Sequence, residues 1–541
     1  MPTAHPGPHD GRMPSTRRAA PAAIALAALL VLPSTAAANE FPAGFEGYHT
    51  YTEVGAATKA VAAAHPDITK RFSIGKSYQG RQLWAMKISD NVGIDEAEPE
   101  VLYDGGTHGD EHMGVELALR IMRWLTDGYG TDDRITKIVD SREIWIVFLV
   151  NPDGAERDIA NGRFNRWRKN RQPTPGSSYI GTDLNRNFGY KWGGGGRTST
   201  NPQAITYRGP KAFSAPESRA MRDFLASRVV GGRQQIRVHI TFHEAGRLVM
   251  WPYGYTLKNV PGDMTRADHD AMVHIGKAMA ASNCYRPQQA SDLYVTSGTT
   301  RDFAYGTYRI YSYTFELSNG DYLDDSRIAS ETGRNRNAVL YLAERAWCPL
   351  SVLGLTVRTA RCGAFDDDLE VGRGWSANAD GTDTATTGRF TRSNPDPTTA
   401  SGPKQLGDVP SGSRAWVTGP AAGTSAGAND LDGQTSVRSP AITLPTTTDQ
   451  RLFFRYVFAH DATSGPTDRL VASIEDAAGT RTPLITIAGT AADVDGAWRS
   501  VAAPLDAWAG QTIRIHLEAI DGGPNGLLEV EIDDVRVTRG G

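Results

Sequence analysis

The sequence predicts two architectures in series, an α/β region followed by an all-β region, and three observations lead there. From Phe45 to about Trp347, strand-like and helix-like apolar runs alternate, as in an α/β domain. After Cys362 the composition shifts to Gly, Thr, Ser and Asp, with short runs of alternating hydrophobicity. A chain of 541 residues also exceeds what one ordinary core organises. The expected divisions are 1–38 as a signal peptide, 39–354 as the α/β domain and 355–541 as a β-sandwich.

The first segment reads as a processing signal. Arg17-Arg18 supply a basic start, Ala22 to Leu32 an apolar run, and Ala36-Ala37-Ala38 a small-residue cleavage site before Asn39. Met13 is an alternative start, and the paired arginines also fit a twin-arginine signal. The expectation is a secreted, extracellular protein. Export permits disulfides, and of Cys284, Cys348 and Cys362 the favoured pair is Cys348 with Cys362, with Cys284–Cys348 as the alternative.

In the α/β region, Glu143 to Val150, Ile236 to Phe242 and Ile310 to Leu317 read as strands. Gly114 to Leu125 and Asn337 to Trp347 carry helical spacing. In the second region Arg451 to Phe458, Leu470 to Ile474, Thr512 to Ala519 and Leu528 to Val537 read as strands. Ile513, Ile515, Leu517 and Ala519 share one face, and the whole looks like an antiparallel sandwich of jelly-roll type. A net charge of -4 with 22% charged residues gives no field that calls for nucleic acid or an acidic membrane. No run is long and apolar enough for a membrane anchor.

Five short segments carry the chemistry: Thr107-His-Gly-Asp-Glu111, Trp167-Arg-Lys-Asn-Arg171, Asp183-Leu-Asn-Arg-Asn187, Thr241-Phe-His-Glu244 and Tyr313-Thr-Phe-Glu-Leu317. His108 and Glu111 form an H-x-x-E pair after the apolar Val101-Leu-Tyr103, and alone such a pair usually binds nothing. His243, at the end of an apolar strand far along the chain, completes two nitrogens and one carboxylate, the donor set of a catalytic zinc. His112 reads as a solvent-facing or supporting residue. His239 lies four before His243, about 13 Å away along a strand, and reads as a satisfied core histidine. Arg247 stands where an H-E-x-x-H helix would place its second histidine, which excludes that class.

Taken together, the five segments resemble the zinc carboxypeptidase family of A/B-type exopeptidases, over about Phe45 to Trp347. The resemblance implies an α/β fold with a mixed, largely parallel central sheet flanked by helices. It also implies one catalytic Zn2+ held by His108, Glu111 and His243, and removal of single residues from peptide or protein C-termini. In the family, hydrolysis runs through a zinc-bound water, with Glu316 matching the general base and Arg168 the arginine that stabilises the oxyanion. Asn185 and Arg186 match the pair that grips the terminal carboxylate, and Tyr294 the tyrosine that closes over substrate. Departures are Asp110, where digestive relatives often carry arginine, and Ala245, where they carry tyrosine. Both lie outside the metal ligands and bear on subsite preference.

Arg301 matches the residue at the base of the family's specificity pocket. A buried guanidinium there favours C-terminal Asp or Glu. If it turns outward onto Asp302, the preference is broad or apolar. In the second region, Asp366-Asp-Asp368 and Asp533-Asp534 suggest a structural Ca2+, against the plainer reading of strand-end aspartates. Trp375, Trp416, Trp498 and Trp508 could include a stacking platform for polysaccharide or another surface, against the plainer reading of core residues. Two other functions compete with the leading one. One is a same-fold peptidase or amidase acting on cell-wall peptides, and the other is an adhesion protein built on an inactive peptidase. The complete Asn185-Arg186 pair argues against the first, and intact ligands with Glu316 argue against the second.

Overall fold

A computed structural model describes residues 40–96, 98–230, 233–353, 363–370, 372–410, 412–421, 423–446, 450–523 and 526–539. The expected signal peptide, Cys362 and the 354/355 boundary lie outside the described residues.

The first region is built on an eight-stranded sheet. Its strands are β1 (Thr69–Lys76), β2 (Gln82–Ile88), β3 (Glu100–Asp104), β4 (Glu143–Val147), β5 (Ile236–Glu244), β6 (Leu248–Trp251), β7 (Arg286–Gln289) and β8 (Tyr311–Leu317). The spatial order is β1-β2-β4-β3-β5-β8-β6-β7. The centre, β4-β3-β5-β8, is parallel, as is β6 with β7, while β1–β2, β2–β4 and β8–β6 are antiparallel. The sheet is therefore mixed as expected, with parallel pairing concentrated where both faces are buried.

Two helical layers account for that burial. Tyr103, Ile240, Phe242, Tyr313 and Phe315 face a cluster that includes Leu117 and Ile121 of α1 (Met113–Gly128), Met272 and Ile275 of α2 (Arg266–Asn283) and Val339 of α3 (Arg336–Arg345). Leu102 and Trp145 face a second cluster around Met221, Phe224 and Phe303. Strand alternation sends successive residues to opposite layers. The segment expected as a strand to Val150 leaves the ladder at Val147, because Asn151 caps the following Pro152–Asp158 helix through Gly154 N–H. No helix among the described residues is long and apolar enough to cross a membrane.

The second region holds two six-stranded sheets. Gln450–His460 pairs with Leu528–Arg539 in one, and Arg469–Glu475 with Thr512–Ile520 in the other. Leu452, Phe454, Val530 and Ile532 meet Leu470, Ile474, Ile513, Ile515, Leu517 and Ala519 in one apolar core, an arrangement consistent with a β-sandwich.

Phe365–Asp367 lies antiparallel to Val535–Val537. The calcium expectation, however, is not supported. Register places Asp366 opposite Arg536, whose Nε donates to it at 3.0 Å, and Arg536 also donates to Asp534 at 2.6 Å. Asp367 accepts from Trp375 Nε1 at 2.9 Å and has Arg373 at 3.5 Å. Arginine thus supplies the positive charge a cation would bring. The tryptophans do not form an exposed platform. Trp416 is buried, Trp375 and Trp508 pack on the core, and Trp498 packs on Val409, Ala415 and Val417. Cys348 is disulfide-bonded and Cys284 is a free, exposed thiol, which excludes the Cys284–Cys348 alternative.

Candidate active site

The site forms at the carboxyl ends of the central parallel strands, where open α/β sheets leave a crevice. β3 ends at Asp104, and the turn 105–112 that leads into α1 carries His108 and Glu111. His243 lies near the end of β5. Glu316 lies on β8 directly opposite it, since the parallel register pairs Glu316 with His243. Adjacent strands lie about 4.8 Å apart, so both residues project from neighbouring positions of one face.

His108, Glu111 and His243 are all buried, and their donor atoms lie within 4.8 Å of one another. His108 Nδ1 is 2.6 Å from Glu111 Oε1, His243 Nδ1 is 2.8 Å from Glu111 Oε2, and the two Nδ1 atoms are 3.1 Å apart. Two imidazole nitrogens turned toward one another across a carboxylate match the donor chemistry of a zinc site. Burial pushes the Glu111 carboxyl up, but His108 and His243 outweigh it and hold it well below the usual range.

Arg168 reaches this triad because its loop is fastened to the turn between the two ligands. Gly109 N–H donates to the Arg168 carbonyl at 2.9 Å, and a Cβ on Gly109 would come within 2.5 Å of the Trp167 carbonyl oxygen. The guanidinium donates to Glu111 Oε1 at 2.9 Å and to Asp183 Oδ2 at 3.3 Å. Asp183 also lies 3.1 Å from His108 Nε2. Burial opposes ionisation of Asp183, but Arg168, Arg186 and His108 hold its carboxyl far below the ordinary range. Asp183 thus orients the imidazole that faces Glu111, a role that reading the sequence alone did not give it.

Glu316 is half-buried. Burial and the Glu111 charge push its carboxyl up to about 8, against Arg168, His108 and Arg301. Asn185 is buried, accepts from Thr300 N–H at 3.0 Å, and places its amide nitrogen 3.4 Å from His243 Nε2. Arg186 is also buried, with Nε donating to Arg197 O at 2.6 Å and a terminal nitrogen to Asn185 O at 2.8 Å. The Tyr294 ring lies 5.8 Å from the Arg186 guanidinium carbon and 4.9 Å from that of Arg197.

Arg301 matches neither sequence alternative fully. It pairs with Asp302 at 3.2 Å, yet it does not turn outward: it is 3% exposed and donates to Thr314 Oγ1 at 2.9 Å. Asp302 is itself fixed by Gly254 and Tyr255 N–H groups. His112 is buried, not solvent-facing, with Nε2 3.0 Å from Asp158. His239 is a satisfied core histidine, hydrogen-bonded to Asp104 and Ser312.

Among the described residues, two further sets of carboxylates converge, Asp90–Glu96–Glu98 and Asp95–Glu100–Glu143. Basic side chains already meet both, Arg455 at Glu98 and Arg228 with Lys87 at the other.

Comparison with known proteins agrees with this geometry. Residues 54–338 match the family model described as zinc carboxypeptidase. A zinc carboxypeptidase from Saccharothrix mutabilis subsp. capreolus is 44% identical over 323 residues, 59% of this chain and 74% of its own. Mast cell carboxypeptidase A from Rattus norvegicus is 29% identical over 303 residues, 55% of this chain and 71% of its own. The crystal structure of thrombin activatable fibrinolysis inhibitor superposes with a TM-score of 0.51 at 26% identity, over 55% of this chain and 74% of that one.

Proposed function

The chain belongs to the zinc carboxypeptidase family and is a metallocarboxypeptidase, and from that premise we propose which residues do the work and which end of the substrate they read. His108, Glu111 and His243 would hold the zinc ion. The donor set fits, because both Nδ1 atoms face Glu111 while each second ring nitrogen has its own hydrogen-bond partner. Bound zinc supplies Lewis acidity, polarising a carbonyl and acidifying water.

Glu316 takes the proton from the attacking water and returns it to the leaving amine. Its register with His243 supports this role. Arg168, already oriented by Glu111 and Asp183, donates to the carbonyl oxygen as negative charge develops there. Asn185 and Arg186 hold the substrate's terminal carboxylate, for which a guanidinium fork is suited. Tyr294, beside Arg186, closes over it. Arg301 forms the base of the side-chain pocket, with Asp302 cancelling much of its charge.

The substrates are peptide or protein C-termini met outside the cell after removal of 1–38. The catalytic domain spans 39–354, and 355–541 is a jelly-roll-type accessory module. The convergence of His108, Glu111 and His243 beside Glu316 carries the reading. The alternative is a peptidase or amidase acting on cell-wall peptides. The Asn185-Arg186 pair favours a free α-carboxylate instead.

Elemental analysis tests the metal assignment. Wild type should bind one zinc per chain, whereas His108→Ala and His243→Ala should lose it. Stoichiometric zinc in both variants would refute the ligand set.

A further inference from the structure

Behind the metal ligands, the same sheet face carries a chain of polar contacts that none of these roles uses. His239, Thr241 and His243 alternate along β5 and share one face. Asp104 on β3 is the registered neighbour of Thr241, and Ser312 on β8 that of His239. His239 Nδ1 lies 2.7 Å from Ser312 Oγ and its Nε2 2.5 Å from Asp104 Oδ2. Thr241 Oγ1 lies 2.8 Å from Asp104 Oδ1 and 3.3 Å from His243 Nε2. All five residues are buried. Asp104, His239 and Ser312 have the composition of a nucleophilic triad, but with all three at 0% exposure no substrate reaches the serine.

Donor arithmetic gives the network a direction. An ionised carboxylate only accepts, so Asp104 takes the Thr241 hydroxyl hydrogen on one oxygen and His239 Nε2–H on the other. A threonine hydroxyl has one hydrogen, so Thr241 can then only accept from His243. A ligand histidine presents a lone pair to the metal, which here is Nδ1, turned toward Glu111 and His108. The proton then sits on Nε2, and of its two neighbours only Thr241 can accept it, because the Asn185 amide nitrogen at 3.4 Å is itself a donor. His108 leans on a carboxylate directly, through Asp183. His243 leans on one through a hydroxyl.

We propose that Asp104 and His239 are positioning residues for His243, acting through the Thr241 hydroxyl to fix which ring nitrogen faces the metal. The proposal rests on reading His243 as a zinc ligand. Losing a partner that orients a ligand typically costs about 10–100-fold in metal affinity.

The test uses the full chain, with zinc affinity measured by competition against a chromophoric chelator and the melting temperature of each zinc-free variant measured in parallel. Thr241→Val keeps the shape and removes the hydroxyl, so its zinc dissociation constant should rise about 10–100-fold. Thr241→Ser should restore it. Asp104→Asn should behave like Thr241→Val, and should it not fold, Thr241→Val carries the test alone. His239→Gln, whose amide can still donate to Asp104, should lose less affinity than His239→Leu. A purely structural network would lower the zinc-free melting temperature and leave zinc affinity alone. If folded Thr241→Val binds zinc as tightly as wild type while His243→Ala loses it, the relay is wrong. If His243→Ala keeps wild-type affinity, the ligand reading itself fails and the relay with it.

Discussion

Arg455 is the side chain whose loss should do most damage without touching the chemistry. It projects from Gln450–His460, is 3% exposed, and reaches Glu98 Oε1 in the first region at 3.4 Å. Asp534 lies 3.9 Å away on its other side. Glu98 is 4% exposed; burial pushes its carboxyl well above the usual range, and Arg455 is the first charge opposing that. Arg455→Ala leaves two buried carboxylates without this cation. Breaking a buried pair from one side typically costs about 3–5 kcal/mol. The low end applies, because Asp534 keeps Arg536 at 2.6 Å and Glu98 can take up a proton. A loss of about 3 kcal/mol should therefore appear in urea unfolding at pH 7. In Arg455→Ala with Glu98→Gln the loss should fall short of the summed single losses, by about 0.5–3 kcal/mol. Peptidase kcat/KM at low temperature should not change, since Glu98 precedes β3 while His108 follows it. Wild-type stability in Arg455→Ala, or strict additivity in the double variant, would refute the bridge between the two regions.

Glu316→Gln keeps the shape of the base but accepts no proton, so kcat should fall about 10²–10⁴-fold with zinc still bound. Steady-state kinetics with metal analysis checks both halves of that statement. Arg301→Ala should lower the ratio of kcat/KM for C-terminal Glu against Leu by about tenfold, or 1.4 kcal/mol, because Asp302 already cancels much of the charge; an unchanged ratio removes Arg301 from the pocket. In the second region, burial pushes Glu529 up to about 9 and Glu531 up to about 8. A carboxyl that keeps its proton when folded contributes stability fully below the unfolded value near 4.5 and loses it as pH rises through the folded value. The melting temperature should therefore fall between pH 5 and 9, and Glu531→Gln should flatten that slope between about pH 5 and 8, so that its gain over wild type is largest at the alkaline end.

The residues that converge in the candidate site were legible because each belongs to a short local motif. His108 and Glu111 are three apart, and Glu316 and His243 sit in apolar strands where a polar side chain needs a reason. Much of what supports them depends on register, which hydrophobic alternation does not reveal. Nothing local ties Asp104 to Thr241 or Asp183 to His108; pairing of distant strands and loops does. The calcium expectation failed for the same reason, since a run of aspartates does not show that Asp366 will lie opposite Arg536. The mixed direction of the sheet was expected from the family resemblance, but apolar patterning alone could not say that β6 runs against β8. For Arg301 the sequence posed burial and pairing with Asp302 as exclusive, and packing satisfied both.

The most direct measurement compares an N-blocked dipeptide bearing a free C-terminal carboxylate with its C-terminal amide, using the zinc-loaded full chain. Grip by Asn185 and Arg186 on a terminal carboxylate predicts release of the last residue from the acid, little turnover of the amide, and loss of both on chelation. Equal turnover of acid and amide, or cleavage that ignores the chain end, would contradict the carboxypeptidase account.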